Sequence, residues 1–196
     1  ADMWVHEGFT NYSENLFVEY HFTRKQAEDY VIGTRRLIQN TTPVIGTYGV
    51  NKSGSGDMYY KGGNMLHTIR YAINDDPRWL GILRGLNKEF WHKTVTTQEV
   101  ESYITKRAGL DLSKIFEQYL RTTKIPVFKY KIDGKSVTYS YENVVAGFAM
   151  PLRVSVNGKV KTLRPTATTQ ILDAAEKILK VEVDRNFYVK SVEATP

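Results

Sequence analysis

The spacing of apolar residues in this 196-residue chain changes near residue 123, and this change limits the folds that the chain can adopt. Up to Thr122, apolar side chains recur at steps of three and four, which is typical of helices that bury one face. After Lys124-Ile125-Pro126, apolar and polar residues alternate, which is typical of strands in a half-buried sheet. The pattern therefore predicts an α plus β chain, with a helical part over residues 1–122 and a β part over residues 123–196.

The helical part contains several local signals for helix starts. A first helix, from about Gly8 to Tyr20, would place Phe9, Tyr12, Leu16 and Tyr20 on one apolar stripe. Later helices are marked by capping-box spacings and by a proline in the first turn. Capping boxes are predicted at Thr23 with Gln26 and at Thr96 with Glu99, and caps are predicted at Asp76, before Pro77, and at Asp111. The helices that follow these signals would run from Thr23 to near Gln39, from Asp76 to about Trp91, from Thr96, and from Asp111 to near Arg121, and a further helix would run from about Tyr60 to Ile73.

The β part contains two strand pairs around short turns. Alternating residues flank Asp133-Gly134, which predicts one hairpin, and a similar pattern flanks Asn157-Gly158, which predicts a second. Further strands are expected near residues 178–184 and 187–192, so we predict a small β-sandwich. Its lysines are expected on the solvent face or at turns, and they are Lys129, Lys131, Lys135, Lys159 and Lys161.

The net charge of +6 comes mainly from the β part. Residues 1–122 carry 15 Lys and Arg against 14 Asp and Glu, whereas residues 123–196 carry 12 against 7. Because lysines on a strand discourage edge pairing, we interpret the excess as a solvated sheet face. A nucleic-acid surface would need arginines and stacking aromatics on that same face, and the pattern does not place them there, so we expect no nucleic-acid partner.

Several kinds of site are excluded by residues and motifs that the sequence lacks. It has no cysteine, which excludes thiol nucleophiles, disulfides and cysteine-bound zinc, and it has no nucleophile elbow or nucleotide-binding glycine motif. His6-Glu7 begins like the zinc motif H-E-x-x-H, but residue 10 is Thr10, and we interpret His6, His67 and His92 as structural or surface residues. The apolar stretch at 144–152 is shorter than the roughly 18 residues of a membrane helix, so no membrane segment is expected.

Two segments carry a more specific pattern. The first, Trp4 to Glu14, reads Trp-Val-His-Glu-Gly-Phe-Thr-Asn-Tyr-Ser-Glu. Its two carboxylates, Glu7 and Glu14, are seven residues apart, and on a helix this spacing returns to nearly the same face two turns later. The second segment is Tyr59-Tyr60-Lys61-Gly62, which follows a glycine-rich loop at a predicted helix start. Both segments are therefore candidates for a functional site.

At these residues the chain resembles the gluzincin aminopeptidases, the zinc aminopeptidase family that includes aminopeptidase N and leukotriene A4 hydrolase. That family has H-E-x-x-H, eighteen intervening residues, a Glu within W-x-x-E-G-F-x-x-Y-x-E, and then Y-x-K-G. The second motif is intact from Trp4 to Glu14, the third is intact from Tyr59 to Gly62, and Phe116-Glu117-Gln118-Tyr119-Leu120 follows. The resemblance covers the whole chain. It implies the C-terminal helical part of a thermolysin-like catalytic domain over residues 1–122 and a small β-sandwich domain over residues 123–196.

The resemblance also implies roles for three residues. Glu7 would be the third protein ligand of a zinc ion, Glu14 would orient a zinc-bound histidine, and the Tyr59 hydroxyl would hydrogen-bond the oxyanion during catalysis. Each residue also has a structural interpretation. Glu7 could be a surface glutamate favoured by the helix dipole, Glu14 could form a salt bridge, and Tyr59 could be a packed loop aromatic. Tyr60 occupies the position that the family motif leaves free.

One part of the family pattern does not occur in the chain. Only six residues precede Glu7, so both zinc-binding histidines, the general-base glutamate and the family's G-x-M-E-N segment would come before residue 1. We therefore expect a fragment of a zinc aminopeptidase that acts on peptides with a free N-terminus, inactive by itself because catalytic zinc takes three protein ligands. Truncation is expected to expose apolar surface and to favour self-association.

Two other functions remain as alternatives. A non-catalytic interaction module related to these peptidases would keep both parts of the chain and would lack H-E-x-x-H upstream. An epoxide hydrolase resembling leukotriene hydrolase is disfavoured, since that enzyme follows its catalytic domain with a helical domain, whereas this chain continues with predicted strands.

Overall fold

In the computed structural model, which describes residues 1–194, helices occupy the first part of the chain and strands occupy the second. The helices are α1 (Trp4–His21), α2 (Arg24–Gly33), α3 (Tyr60–Ile73), α4 (Asp76–Glu89), α5 (Thr97–Ala108) and α6 (Ser113–Arg121), with 3₁₀ turns at Thr34–Leu37 and Gly56–Met58. The strands are β1 (Val127–Asp133), β2 (Ser136–Glu142), β3 (Leu152–Val156), β4 (Lys159–Leu163), β5 (Gln170–Asp173), β6 (Val181–Val183) and β7 (Lys190–Glu193). The α plus β class is confirmed, whereas the domain boundary stays a prediction.

Several predicted helix starts are confirmed by side-chain caps. Thr96 and Glu99 form a reciprocal capping box, and the Thr23 hydroxyl accepts the backbone N–H of Gln26 at 3.2 Å. The Asp111 carboxylate accepts the N–H of Ser113 at 2.9 Å, but the N-cap residue of α6 is Leu112, so the predicted cap at Asp111 is displaced by one residue. Each of these bonds satisfies a backbone donor that the first turn of a helix leaves free. The helix α3 has the bounds that the sequence predicts.

The predicted cap at Asp76 is wrong by one residue. The Asp75 carboxylate accepts the N–H of Arg78 at 3.0 Å and caps α4, so Asp76 is the first helical residue. The Asp76 carboxylate instead pairs with Arg70, with 2.9 Å between Nε and Oδ1, and with Arg24. Hydrogen bonds from Arg70 lower the pKa of Asp76 to about 2. A tertiary ion pair therefore determines which aspartate is left to cap the helix.

The predicted apolar stripe of α1 and the predicted end of α2 are also wrong in part. Tyr20 is 85% exposed, while the buried face of α1 consists of Trp4, Gly8, Asn11, Tyr12 and Asn15. The spacing of apolar residues does not reveal this face, because three of its five residues, Gly8, Asn11 and Asn15, are small or polar. The helix α2 ends at Gly33 instead of near Gln39, and a 3₁₀ turn follows it.

The strands form two sheets. One has the order β5-β2-β1-β7, and the other has the order β4-β3-β6. Both predicted hairpins are confirmed, with β1 antiparallel to β2 and β3 antiparallel to β4. Asn157 and Gly158 both have positive φ, at 50° and 80°, as a tight two-residue hairpin requires. The β-sandwich stays a prediction.

Two features of the sheets differ from the sequence-based expectation. The strand β5 (Gln170–Asp173) was not predicted, because it has only four residues and its two apolar residues are adjacent instead of alternating. The last two strands are shorter than predicted and are separated by a segment, residues 184–188, that packs on the helices. Lys131, Lys135, Lys159 and Lys161 are exposed as expected, and the partly exposed Lys129 pairs with Glu142 at 2.8 Å.

Buried apolar side chains of the helices and of both sheets form one continuous hydrophobic cluster. At its centre, every residue of α3 from Lys61 to Tyr71 is buried. No helix within residues 1–194 has the length and apolar character needed to cross a membrane.

The segment 184–188 joins the β part to α3 and α6 through hydrogen bonds. The His67 ring Nε2 lies 2.9 Å from Asn186 Oδ1, and the Tyr188 N–H donates to the Thr68 hydroxyl at 2.9 Å. The Tyr119 hydroxyl of α6 donates to the Tyr188 carbonyl at 2.7 Å. These bonds fix the β part against the helix that lies deepest in the core.

Because His67 is buried, its pKa falls from 6.5 to about 4, so protonation opposes folding. The stability that neutral His67 provides is complete above pH 6.5 and is lost as the pH falls from 6.5 towards 4, by about 3 kcal/mol. Between pH 7.5 and pH 4, the free energy of unfolding should fall by about 3 kcal/mol less in His67→Gln than in the wild type, as measured by urea titration. The control His6→Gln changes an exposed histidine and should follow the wild type. Equal losses in all three proteins would contradict this prediction.

Candidate functional site

The helices α1 and α3 approach most closely at two glycines. A Cβ atom on Gly62 would lie 3.0 Å from the Cα of Gly8, and a Cβ atom on Gly8 would lie 3.2 Å from the carbonyl oxygen of Met58. Both distances are shorter than most Cβ contacts in proteins, and the neighbouring atoms are backbone, so a larger residue would push the helices apart by a few tenths of an ångström. Both glycines belong to the two sequence segments that were singled out above, one in Trp4 to Glu14 and the other in Tyr59 to Gly62.

This close crossing brings Glu7 and Tyr59 together. Glu7 precedes Gly8 in the first turn of α1 and is partly exposed. Tyr59 is the N-cap residue of α3 and is 40% exposed, and its carbonyl accepts the Gly63 N–H at 2.8 Å. The negative charge of Glu7 raises the pKa of Tyr59 above its ordinary value of 10. Like any tyrosine hydroxyl, that of Tyr59 is protonated at neutral pH and can donate a hydrogen bond.

Glu14 lies two turns after Glu7 on α1 and is exposed, and its carboxylate accepts hydrogen bonds from two neighbours. The Tyr30 hydroxyl of α2 donates to Glu14 Oε2, and Asn11 Nδ2 donates to the same oxygen at 3.4 Å. The hydrogen bond to Glu14 raises the pKa of Tyr30 to about 12. Within residues 1–194 no ion pair to Glu14 is found, so the salt-bridge interpretation has no partner there.

The first turn of α3, which carries Tyr59, is held by two buried charged residues. The Asp57 carboxylate accepts the backbone N–H groups of Gln39 and Asn40 at 2.8 and 2.6 Å, which fixes the turn before the helix to the loop after α2. The Lys61 ammonium, which has no exposed surface, donates to the Thr122 carbonyl at 2.8 Å. Burial lowers the pKa of Lys61 to about 8. The position of Tyr59 thus depends on two distant segments of the chain.

Sequence reasoning identified Lys61 only as a letter of the Y-x-K-G motif and missed its partner. The signal in the sequence is the number of polar residues in the predicted third helix, which are Lys61, Asn64, His67, Thr68 and Arg70. The structure shows that all eleven residues of this stretch, 61–71, are buried. Polar residues buried at that density need specific partners. Identifying those partners requires the tertiary structure.

Side chains that could bind a metal do not cluster in the part of the chain that the structure describes. Among residues 1–194, no group of three or more His, Cys, Asp or Glu side chains lies close enough to hold a metal ion. Glu7 offers one carboxylate, and the structure places His6, His21 and His92 on exposed surfaces and His67 in the core. Residues 1–194 therefore do not by themselves bring together the three protein ligands that catalytic zinc takes.

Comparison with known proteins finds relatives that are named aminopeptidases. The chain is 24% identical over 210 residues to a leucyl aminopeptidase of Saccharolobus solfataricus, in an alignment that covers 95% of this chain and 26% of the relative. It is 22% identical over 203 residues to a probable aminopeptidase 1 of Sulfurisphaera tokodaii, with 94% of this chain and 26% of the relative covered. The chain thus spans about a quarter of the length of these relatives. No model of a known protein family matches it. The two relatives support a peptidase-related function.

The glycine crossing predicts opposite effects for two glycine-to-alanine substitutions. Gly62→Ala should lower the free energy of unfolding by about 1–3 kcal/mol, because its methyl group would meet the backbone of Gly8. The matched control Gly81→Ala lies in the exposed face of α4 with no atom near the new methyl group, and it should raise the free energy of unfolding by about 0.5–1 kcal/mol. Urea titration of both variants measures the difference. A Gly62→Ala variant as stable as Gly81→Ala would contradict the packing argument.

Proposed function

We propose that this chain is part of a zinc-dependent aminopeptidase that hydrolyses N-terminal residues from peptides. The observation that carries the proposal is the meeting of Glu7 and Tyr59 at the glycine crossing of α1 and α3. A metal-ligating carboxylate beside a protonated hydroxyl suits hydrolysis of an amide, since one can help bind an electrophile and the other can stabilise an oxyanion. The order and spacing of the motifs and the two aminopeptidase relatives support the same function.

In this proposal Tyr59 is the oxyanion donor. A peptide carbonyl that becomes tetrahedral gains negative charge on its oxygen, and a hydroxyl aimed at that oxygen stabilises the transition state more than the ground state. Such a donor contributes about 2.7–4 kcal/mol. Two features of Tyr59 support the role: its hydroxyl lies close enough to the Glu7 carboxylate to interact with it, and its side chain is 40% exposed and so accessible to a substrate.

Glu7 is proposed as one zinc ligand, with two further ligands from a part of the longer enzyme outside residues 1–196. Zinc, when bound, supplies an acidified water and polarises the scissile carbonyl. Glu14 lies on the same face of α1 as Glu7 and would orient a zinc-ligating histidine, and the hydrogen bonds from Tyr30 and Asn11 fix the direction of its carboxylate. The proposed substrates are peptides with a free N-terminus.

Replacing Tyr59 in the full-length enzyme tests its role. Tyr59→Phe should lower kcat about a hundredfold or more, with KM nearly unchanged, because only the transition state gains the hydrogen bond. Steady-state kinetics on an aminoacyl-arylamide measures both constants. Tyr60→Phe, at the neighbouring position that the motif leaves free, is the matched control and should keep the wild-type kcat. An unaltered kcat in Tyr59→Phe would remove Tyr59 from the mechanism.

The isolated 196-residue chain should bind zinc no better than an ordinary surface site and should leave aminoacyl-arylamides uncut, because it offers one carboxylate where catalytic zinc takes three protein ligands. Titration calorimetry with zinc and an overnight hydrolysis assay measure these outcomes. Stoichiometric zinc binding with turnover would overturn the ligand assignment. An interaction module, the alternative function, predicts that the full-length protein is also inactive and lacks H-E-x-x-H.

A further inference from the structure

Lys61 is a fully buried ammonium at the start of α3, and its acceptor is the carbonyl of Thr122 at 2.8 Å. Thr122 is the C-cap residue of α6, so the ammonium lies at the end of a helix where free carbonyls carry partial negative charge. Thr122 also precedes the connection into β1. The contact therefore joins three segments: the first turn of α3, the end of α6 and the start of the β part.

The need for a stable core does not account for this lysine. A buried ammonium loses its hydration, and replacing a buried charge with an apolar side chain of similar volume is often neutral or stabilising. The nearby carboxylate of Asp57 is engaged by the amides of Gln39 and Asn40, and the lowered pKa of Lys61 agrees with an ammonium that is incompletely compensated. A residue that costs stability at this position is expected to serve another purpose.

That purpose can be read from the position of Tyr59, two residues before Lys61. Tyr59 caps α3 with its backbone and is 40% exposed, so the direction of its hydroxyl depends on the backbone of the first turn. The contact of Gly62 with Gly8 limits the distance between α1 and α3, but a contact between two backbones does not by itself fix the direction of the first turn of α3. The directional hydrogen bond from Lys61 to Thr122 adds a restraint at this turn.

We propose that Lys61 is a positioning residue, whose hydrogen bond to the Thr122 carbonyl fixes the first turn of α3 so that the Tyr59 hydroxyl is held beside Glu7. This inference rests on the proposed function, in which Tyr59 stabilises the oxyanion. An error of about 1 Å in the position of such a donor is enough to lower a rate by about a hundredfold.

A double-mutant cycle in the full-length enzyme tests the inference. Lys61→Met removes the ammonium and keeps most of the side-chain volume, and it should lower kcat at least about tenfold with KM changed less than about twofold. In the Tyr59→Phe background the same substitution should lower kcat less than about twofold, because the hydroxyl that Lys61 positions is already absent. A peptide analogue with a tetrahedral phosphorus at the scissile carbonyl should bind Lys61→Met at least about tenfold more weakly, and this loss should also disappear in the Tyr59→Phe background.

Two further variants keep the outcome interpretable. Lys124→Met removes an exposed lysine close to the same connection and should leave kcat and analogue binding unchanged. Lys61→Gln removes the charge and places its amide one bond short of the ammonium position, so it also breaks the 2.8 Å contact with the Thr122 carbonyl, and the same cycle run with it decides the question if Lys61→Met does not fold. An equal loss of kcat in both backgrounds, or a change confined to KM, would overturn the positioning role while leaving the proposed function intact. A wild-type kcat in Tyr59→Phe alone would instead overturn the proposed function and this inference with it.

Discussion

The backbone contact between Gly8 and Gly62 determines how the two halves of the candidate site meet. Without Cβ atoms at this crossing, the backbones of α1 and α3 come so close that a Cβ atom on Gly62 would lie 3.0 Å from the Cα of Gly8. Glu7 directly precedes one glycine, and Tyr59 lies three residues before the other, so both functional side chains leave the helices next to the contact. A change in the distance between α1 and α3 would therefore move the Glu7 carboxylate relative to the Tyr59 hydroxyl.

The same helix that carries Tyr59 at its start also joins the rest of the chain. Along α3, Asn64 Oδ1 accepts a hydrogen bond from Arg35 at 2.7 Å, and Thr68 binds the segment 184–188 of the β part. Near its end, Arg70 pairs with Glu19 of α1 and with Asp76 of α4. Because the polar side chains of this buried helix bind several different elements, a shift of α3 would break hydrogen bonds on several sides at once. The fold thus restrains α3 while Tyr59 stays 40% exposed.

Local signals in the sequence were enough to predict the elements whose partners lie nearby. The capping box of Thr96 and Glu99 and the turn at Asn157-Gly158 depend on a few neighbouring residues, and both are confirmed. One failure arises where a distant residue takes part, since Arg24, 52 residues away, joins Arg70 in pairing with Asp76 and Asp75 is left to cap α4. The site divides in the same way. The motifs indicated Glu7, Glu14 and Tyr59, while the partner of Lys61 lies 61 residues away and no local pattern points to it.

The residues that build the start of α3 are poor choices for stability alone. Glycine in a helix is less favourable than alanine by up to about 1 kcal/mol, and a buried ammonium carries a desolvation penalty. Both occur together at Lys61 and Gly62, beside an exposed tyrosine whose own side chain contributes little to the core. Local departures from favourable sequence are expected where function sets the geometry. At this turn each departure fixes one coordinate of Tyr59: the glycine sets its distance from α1, and the lysine sets its register against α6.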